Sequence, residues 1–170
     1  MNLRKFITSS LLLVIGHILH QIAPPLLMGM KPDFLLTMMF IAIMLSDDYK
    51  MATVIGLASG LLTAATTTFP GGEIANMVDK LITCQVAFVL NKALGQNIKG
   101  TFKMCIIALL GTLVSGFAFL TTALYTAGLP TSYKNLVFSV VLPATLINTI
   151  VSIIVYKAVN LALKHSQISL

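Results

Sequence analysis

Charge is confined to short gaps between long apolar runs, and that pattern leaves this chain few ways to fold. The runs fall near 6–28, 33–46, 51–68, 74–95, 103–127 and 136–163. About 20 residues of helix cross a hydrocarbon core of about 30 Å. No water is present in that core to satisfy a bare backbone, so a spanning segment must be a helix or part of a closed barrel. Only 9% of the 170 residues are charged while 57% are hydrophobic, against roughly a quarter charged in a soluble domain. The sequence predicts an all-α integral membrane protein of six transmembrane helices, forming a single domain over residues 1–170.

The second run is the short one, since Phe34 to Leu45 supplies only 12 residues. The positive-inside rule decides whether it crosses. With six spans and a cytoplasmic N-terminus, Arg4, Lys5, Lys50, Lys92, Lys99, Lys103, Lys157 and Lys164 lie inside, and only Lys31 and Lys134 outside. If the second run failed to cross, three basic residues would lie inside and seven outside. Six spans with both termini cytoplasmic is the expected topology. The first run follows Arg4 and Lys5 as a secretory signal would, but it carries His17, His20 and Gln21 and no A-x-A cleavage site, so it reads as a retained span. Pro24 and Pro25 must end or bend that helix, and Pro143 should kink the sixth.

Eleven Lys and Arg against five Asp and Glu would raise nucleic acid binding in a soluble chain. Here the positive-inside rule explains the excess, and no aromatic-interleaved basic patch is present, so no nucleic acid partner is expected. Cys84 and Cys105 lie in apolar runs without metal-ligand or CxxC spacing, so neither a metal site nor a disulfide framework is expected. Gly95 to Thr101 approaches a phosphate-binding loop but lacks Lys after the second Gly, and HExxH and GxSxG are missing. The chain is not its own ATPase, and an enzyme is not expected.

Polar groups at membrane depth are expensive unless paired or facing a cavity, so they mark candidate chemistry. The strongest case is Thr66-Thr67-Thr68-Phe69-Pro70-Gly71-Gly72-Glu73, leading to Asn76, Asp79 and Lys80. Pro70 and the glycines start the fourth helix, whose outward N-terminus offers free N–H groups suited to a carboxylate. Glu73, Asn76, Lys80 and Thr83 follow one helical stripe, with Asp79 at its border. Lys80 lies roughly 10 Å below the helix start. Asp79 and Lys80 are neighbours whose side chains diverge by about 100°, so they are not expected simply to neutralise each other. A structural ion pair with another helix or a snorkelling lysine competes with a substrate site here.

His17, His20 and Gln21 share one face of the first helix, where a ligand contact or proton relay competes with packed, hydrogen-bonded histidines. Lys31 and Asp33 either guard an entrance or belong to a solvated loop with a Pro32-set helix start. Thr145, Asn148, Thr149, Ser152 and Tyr156 on the sixth helix, and Gly111, Ser115, Phe119 and Thr122 on the fifth, read first as helix-packing stripes. Gly56 and Gly60 form a GxxxG, which marks close helix contact within the chain or with a partner.

Met30-Lys31-Pro32-Asp33-Phe34-Leu35-Leu36, together with the loop from Thr66 to Asn76 and the pair Asp79-Lys80, resembles the bacterial tryptophan-transport protein family. Those proteins are small six-helix membrane proteins related to the substrate-binding S components of energy-coupling factor transporters. The resemblance implies an S-component-like bundle in the bacterial cytoplasmic membrane, without a cofactor. It also implies an outward-facing tryptophan site, with transport powered by a cytoplasmic ATPase joined through a membrane T protein. A zwitterionic amino acid needs an anion-binding group, a cation-binding group and an apolar slot. Gly71 and Gly72 at the helix start, or Lys80, are candidates for the carboxylate, and Asp79 or Glu73 for the ammonium. Phe69, Phe119 and Tyr125 are candidates for stacking on the indole, and Thr67, Thr68, Asn76, His20, Lys31, Asp33 and Asn148 complete the candidate set.

One feature departs from the S-component pattern. Many S components carry Ala-xxx-Ala on the first helix where the T protein docks, whereas this one has Ser9, Ser10 and Gly16 without a small-xxx-small pair. Either the chain does not couple to an ATPase module, or it does so through another surface such as Gly56 and Gly60. Two rival readings remain: a solitary proton-coupled carrier using His17, His20 and Asp79, and a non-transporting membrane scaffold.

Overall fold

A computed structural model describes residues 3–25, 31–46, 48–95 and 97–165. Residues 26–28 of the first expected span, Met30 of the motif that runs from Met30 to Leu36, and Gln96 of the loop that approaches a phosphate-binding pattern lie outside the described residues. The described residues form six helices: α1 Leu3–Ile22, α2 Phe34–Ser46, α3 Tyr49–Ala65, α4 Gly72–Ala93, α5 Gly100–Thr126 and α6 Tyr133–His165. Each falls on one of the apolar runs. α1 stops just before Pro24 and Pro25, because a residue preceding proline is pushed out of the α region.

Polarity is inverted relative to a soluble protein. Leu11, Ile18, Leu61, Phe102, Leu146 and Ile154 are exposed, while Asp79, Lys80, Thr83, Ser115, Asn148 and Ser152 are buried. An exterior of that kind suits lipid, and the chain is a multi-pass membrane protein. α1, α5 and α6 are individually long and apolar enough to cross a bilayer. α4 has 22 residues but carries Glu73, Asp79, Lys80 and Lys92, and α2 and α3 are shorter.

The shortness of α2 has a physical reason. It packs against all five other helices and buries ten of its 13 residues, including Leu35, Met39, Phe40 and Ile43. A helix apolar on every side belongs at the centre of a bundle. Its N-terminus is capped by Asp33, whose Oδ1 accepts the Leu36 N–H at 2.8 Å. Two polar links join α2 to α6: the Asp33 N–H donates to Asn148 Oδ1 at 2.9 Å, and the Thr37 and Ser152 hydroxyls meet at 2.9 Å. Interhelical bonds of this kind average about 0.6 kcal/mol each, so here they fix register more than they stabilise.

The GxxxG pair is used inside the chain. A Cβ on Gly56 would strike the Cys84 side chain, and one on Gly60 would lie 3.2 Å from Met77 Sδ. Both glycines are therefore occupied in the α3–α4 contact, which corrects the expectation that they offer a docking surface. α6 is not uniform. Its residues Val137–Val141 form a π-helical turn, followed by α-helix from Leu142 to His165. Pro143 lies two residues beyond the π turn, and a wider turn accommodates the backbone that proline cannot bond.

Candidate functional site

The α3–α4 loop is built to pack tightly. Gly71 takes φ 67°, a left-handed conformation that favours glycine. A Cβ on Gly72 would meet Thr67 Oγ1 at 2.8 Å and Phe69 Cβ at 3.1 Å, so the loop folds back over the start of α4. This sets Phe69 edge-on against Phe119 of α5, with ring centroids 5.4 Å apart. Asn76 Nδ2 donates back to the Gly72 carbonyl at 3.0 Å.

Below that loop lies a cavity of about 740 Å³, large enough for an amino acid with a bicyclic side chain. It opens at the end of the bundle that carries the α1–α2, α3–α4 and α5–α6 loops. Thr67, Thr68 and Phe69 line its mouth, with Lys31 and Pro130. Asn76, Asp79 and Lys80 line it from α4, Asp33 from the head of α2, His20 from α1 and Asn148 from α6. The structure thus brings ten of the fourteen sequence-derived candidates to one cavity.

The other four stand outside this cavity. Gly71, Gly72, Glu73 and Tyr125 do not line the cavity. Gly71 and Gly72 shape the loop. Glu73 is on the exposed face of the first turn, so the stripe from Glu73 to Lys80 turns out of the cavity at its outer end. Tyr125 is 84% exposed on the outside of α5.

At the centre is an ion-paired triad. Lys80 Nζ lies 2.7 Å from Asp79 Oδ2 and 3.5 Å from Asp33 Oδ2, with Asp79 and Lys80 almost wholly buried. This corrects the expectation that Asp79 and Lys80 diverge too far to pair. The 100° separation applies to where the side chains leave the helix, while the flexible four-carbon lysine stem carries its ammonium back around. The Thr83 hydroxyl donates to Asp79 Oδ1 at 2.9 Å, and Ser115 of α5 lies beside the same carboxyl. His20 Nδ1 donates to the Pro32 carbonyl at 3.0 Å and sits 3.9 Å from Asp33 Oδ1. One cation thus faces two carboxyl groups drawn from two helices.

An apolar wall closes the far side. Leu120 and Gly116 of α5 face Leu136, Val140, Val141 and Ala144 of α6. Sequence reasoning missed this wall, because Val140 and Val141 lie in the π turn and its wider spacing sets which neighbours face the cavity, and Pro143 was the one signal for it. Ser115, which reads in the sequence as part of a packing stripe, lines the cavity, and so does Phe119, which the sequence offers both for packing and for stacking on the indole. Among the described residues no three His, Cys, Asp or Glu side chains gather as a metal site requires.

Comparison with known proteins settles the family. The sequence profile described as tryptophan transporter TrpP matches residues 2–164. The chain belongs to the tryptophan transporter TrpP family. It is 47% identical over 164 residues to a probable tryptophan transport protein of Clostridium acetobutylicum, covering 96% of each chain. It is 42% identical to a protein described in the same words from Clostridium perfringens, covering 99% of this chain and all of the relative. A third such relative, from Bacillus subtilis, is 39% identical, with 98% and 96% covered. No solved structure matches the chain. Membership of the TrpP family places the chain among transporters rather than enzymes, in a bacterial membrane.

Proposed function

We propose that the protein binds tryptophan in the 740 Å³ cavity from the outer side and releases it inward, energised by a partner ATPase module. The observation that carries this reading is the triad: one lysine set against two carboxyl groups at the base of a mixed polar and apolar cavity. An amino acid complements it at both ends. Its ammonium supplies the missing cation to Asp79 and Asp33, and its carboxylate turns to Lys80. The indole then meets the ring edges of Phe69 and Phe119 or the apolar wall of α5 and α6. The names of the relatives support tryptophan over other amino acids.

The direction follows from charge. Lys5, Lys92 and Lys103 gather around a second cavity of about 640 Å³, lined also by Asn91, Gly95 and Tyr156. The positive-inside rule assigns that end to the cytoplasm, which leaves the tryptophan cavity opening outward with both termini inside. The energy source is a partner in this reading, a cytoplasmic ATPase joined through a T protein, since the chain carries no complete phosphate-binding loop. Tryptophan binding by the purified protein tests the site, and loss of affinity in Asp79→Asn is the expected result.

A second reading is favoured by one observation. His20, Asp33, Lys80 and Asp79 form a continuous chain of ionisable groups, as a proton-coupled carrier needs. Liposomes containing this protein alone separate the two readings. Tryptophan accumulation driven by a pH gradient without ATP identifies the solitary carrier, and its absence favours the partner ATPase.

A further inference from the structure

Among the described residues, two buried side-chain atoms have no hydrogen-bond partner: Thr112 Oγ1 and His17 Nδ1. Both residues line the 740 Å³ cavity. A buried polar atom left unpaired is costly, and in a binding site the ordinary reason to leave one is a ligand that pairs it. Thr112 is the more informative. A threonine within a membrane helix usually bonds the carbonyl four residues back. Thr122, Thr126, Thr145 and Thr149 all do so here, at 2.7 to 2.9 Å. Thr112 does not, although it is 95% buried in the middle of α5.

Its position along α5 suggests which ligand atom it meets. Thr112, Ser115, Gly116 and Phe119 share one helix face on the cavity. Ser115 lies beside the Asp79 carboxyl, where the ammonium is placed. Thr112 is one turn deeper, about 4.5 Å along the axis, comparable to the reach from an amino-acid head to the nitrogen of its indole ring. An indole N–H is a donor only and needs an acceptor when buried.

We infer that the Thr112 hydroxyl is the acceptor for the indole N–H and so selects tryptophan over indole-shaped rings that lack the donor. The inference rests on the tryptophan reading above. In that geometry the ring points inward from the triad, and the Phe69–Phe119 pair closes over the outer edge of the ligand at the mouth. His17 Nδ1 lies on α1, on the face that carries His20, and not on the α5 face that holds Ser115 and Phe119.

Equilibrium binding of tryptophan and of 3-benzothienylalanine, in which sulfur replaces the ring N–H, tests the inference on the full chain in detergent. The wild type is expected to favour tryptophan by roughly 10- to 100-fold, the range set by one unpaired buried partner. Thr112→Val and Thr112→Ala should each bring tryptophan down to the affinity of the sulfur analogue, whose own binding shows that the variant is folded. Thr112→Ser restores the hydroxyl and should restore the preference. A wild type without preference, or a Thr112→Val or Thr112→Ala variant that keeps the wild-type ratio, overturns the inference while leaving tryptophan as the substrate. A wild type that binds neither ligand overturns the tryptophan reading itself, and this inference with it.

Discussion

Lys80 Nζ stands 3.5 Å from Asp33 Oδ2, joining the middle of α4 to the head of the central helix α2. The same ammonium lies 2.7 Å from Asp79, so a single lysine holds two carboxyl groups at membrane depth. Such a cluster is neither a neutral structural pair nor a solvated patch. With both carboxyl groups ionised and His20 neutral it is short of one cation, and the cavity lined by all three residues gives a cation access.

The imbalance makes an asymmetric prediction for stability. Lys80→Met leaves the buried Asp79 carboxyl and the half-buried Asp33 carboxyl without their shared cation, and should destabilise by about 3–5 kcal/mol, the usual result of removing one partner of a buried pair. Asp79→Asn leaves Lys80 paired one-to-one with Asp33 and should melt near the wild type. Thermal unfolding in detergent checks both, and equal losses in the two variants contradict the assignment.

Close packing of α3 on α4 makes a second prediction. Gly56→Ala forces a Cβ into the Cys84 side chain and should cost about 1–3 kcal/mol. Cys84→Ala in the same chain should return part of that loss by removing the sulfur. Unfolding of the single and double variants measures it, and additive losses contradict the contact.

The Phe69–Phe119 pair sits at the cavity mouth. Phe119→Leu keeps the apolar volume but removes the edge-to-face contact, and should weaken tryptophan binding roughly 3- to 10-fold. Unchanged affinity would show that this pair plays no part in holding the ligand.

Topology is open to direct labelling. Lys134 and Lys157 are both exposed, the first at the N-terminal end of α6 and the second near its C-terminal end, which the proposed topology puts outside and inside the cell. With Cys84 and Cys105 replaced by alanine, Lys134→Cys should react with a membrane-impermeant maleimide on intact cells, and Lys157→Cys only after lysis. The opposite pattern inverts the orientation.

The helices were legible because lipid imposes a simple rule: residues that cannot face hydrocarbon fall between spans. All six runs became helices, and even the short run from Phe34 has its reason in the burial of α2 on every side. The site was legible where polar residues had no other reason to be deep, as at Asp79 and Lys80. It was less legible where one residue type serves two purposes. Ser115 and Thr112 look like packing residues in a sequence, because small hydroxylated side chains also let membrane helices approach closely. Asp33 reads as a loop acid after Pro32, and only the folding of α2 against α4 brings it to Lys80. The Asp79–Lys80 pair escaped a rule that counts helical angles and ignores the reach of a lysine. The wall from Leu136 to Ala144 depends on a π turn, whose wider spacing the regular 3.6-residue period does not anticipate.

The central claim is that the Asp33–Lys80–Asp79 triad holds the amino-acid head of the ligand. Calorimetric titration of purified wild type, Asp79→Asn and Asp33→Asn with tryptophan tests it most directly, provided that each protein melts as a folded species. The account predicts measurable binding by the wild type and a loss of on the order of tenfold or more in each variant, as expected when a charge-assisted hydrogen bond to the ammonium is removed. Wild-type affinity in both variants would contradict it.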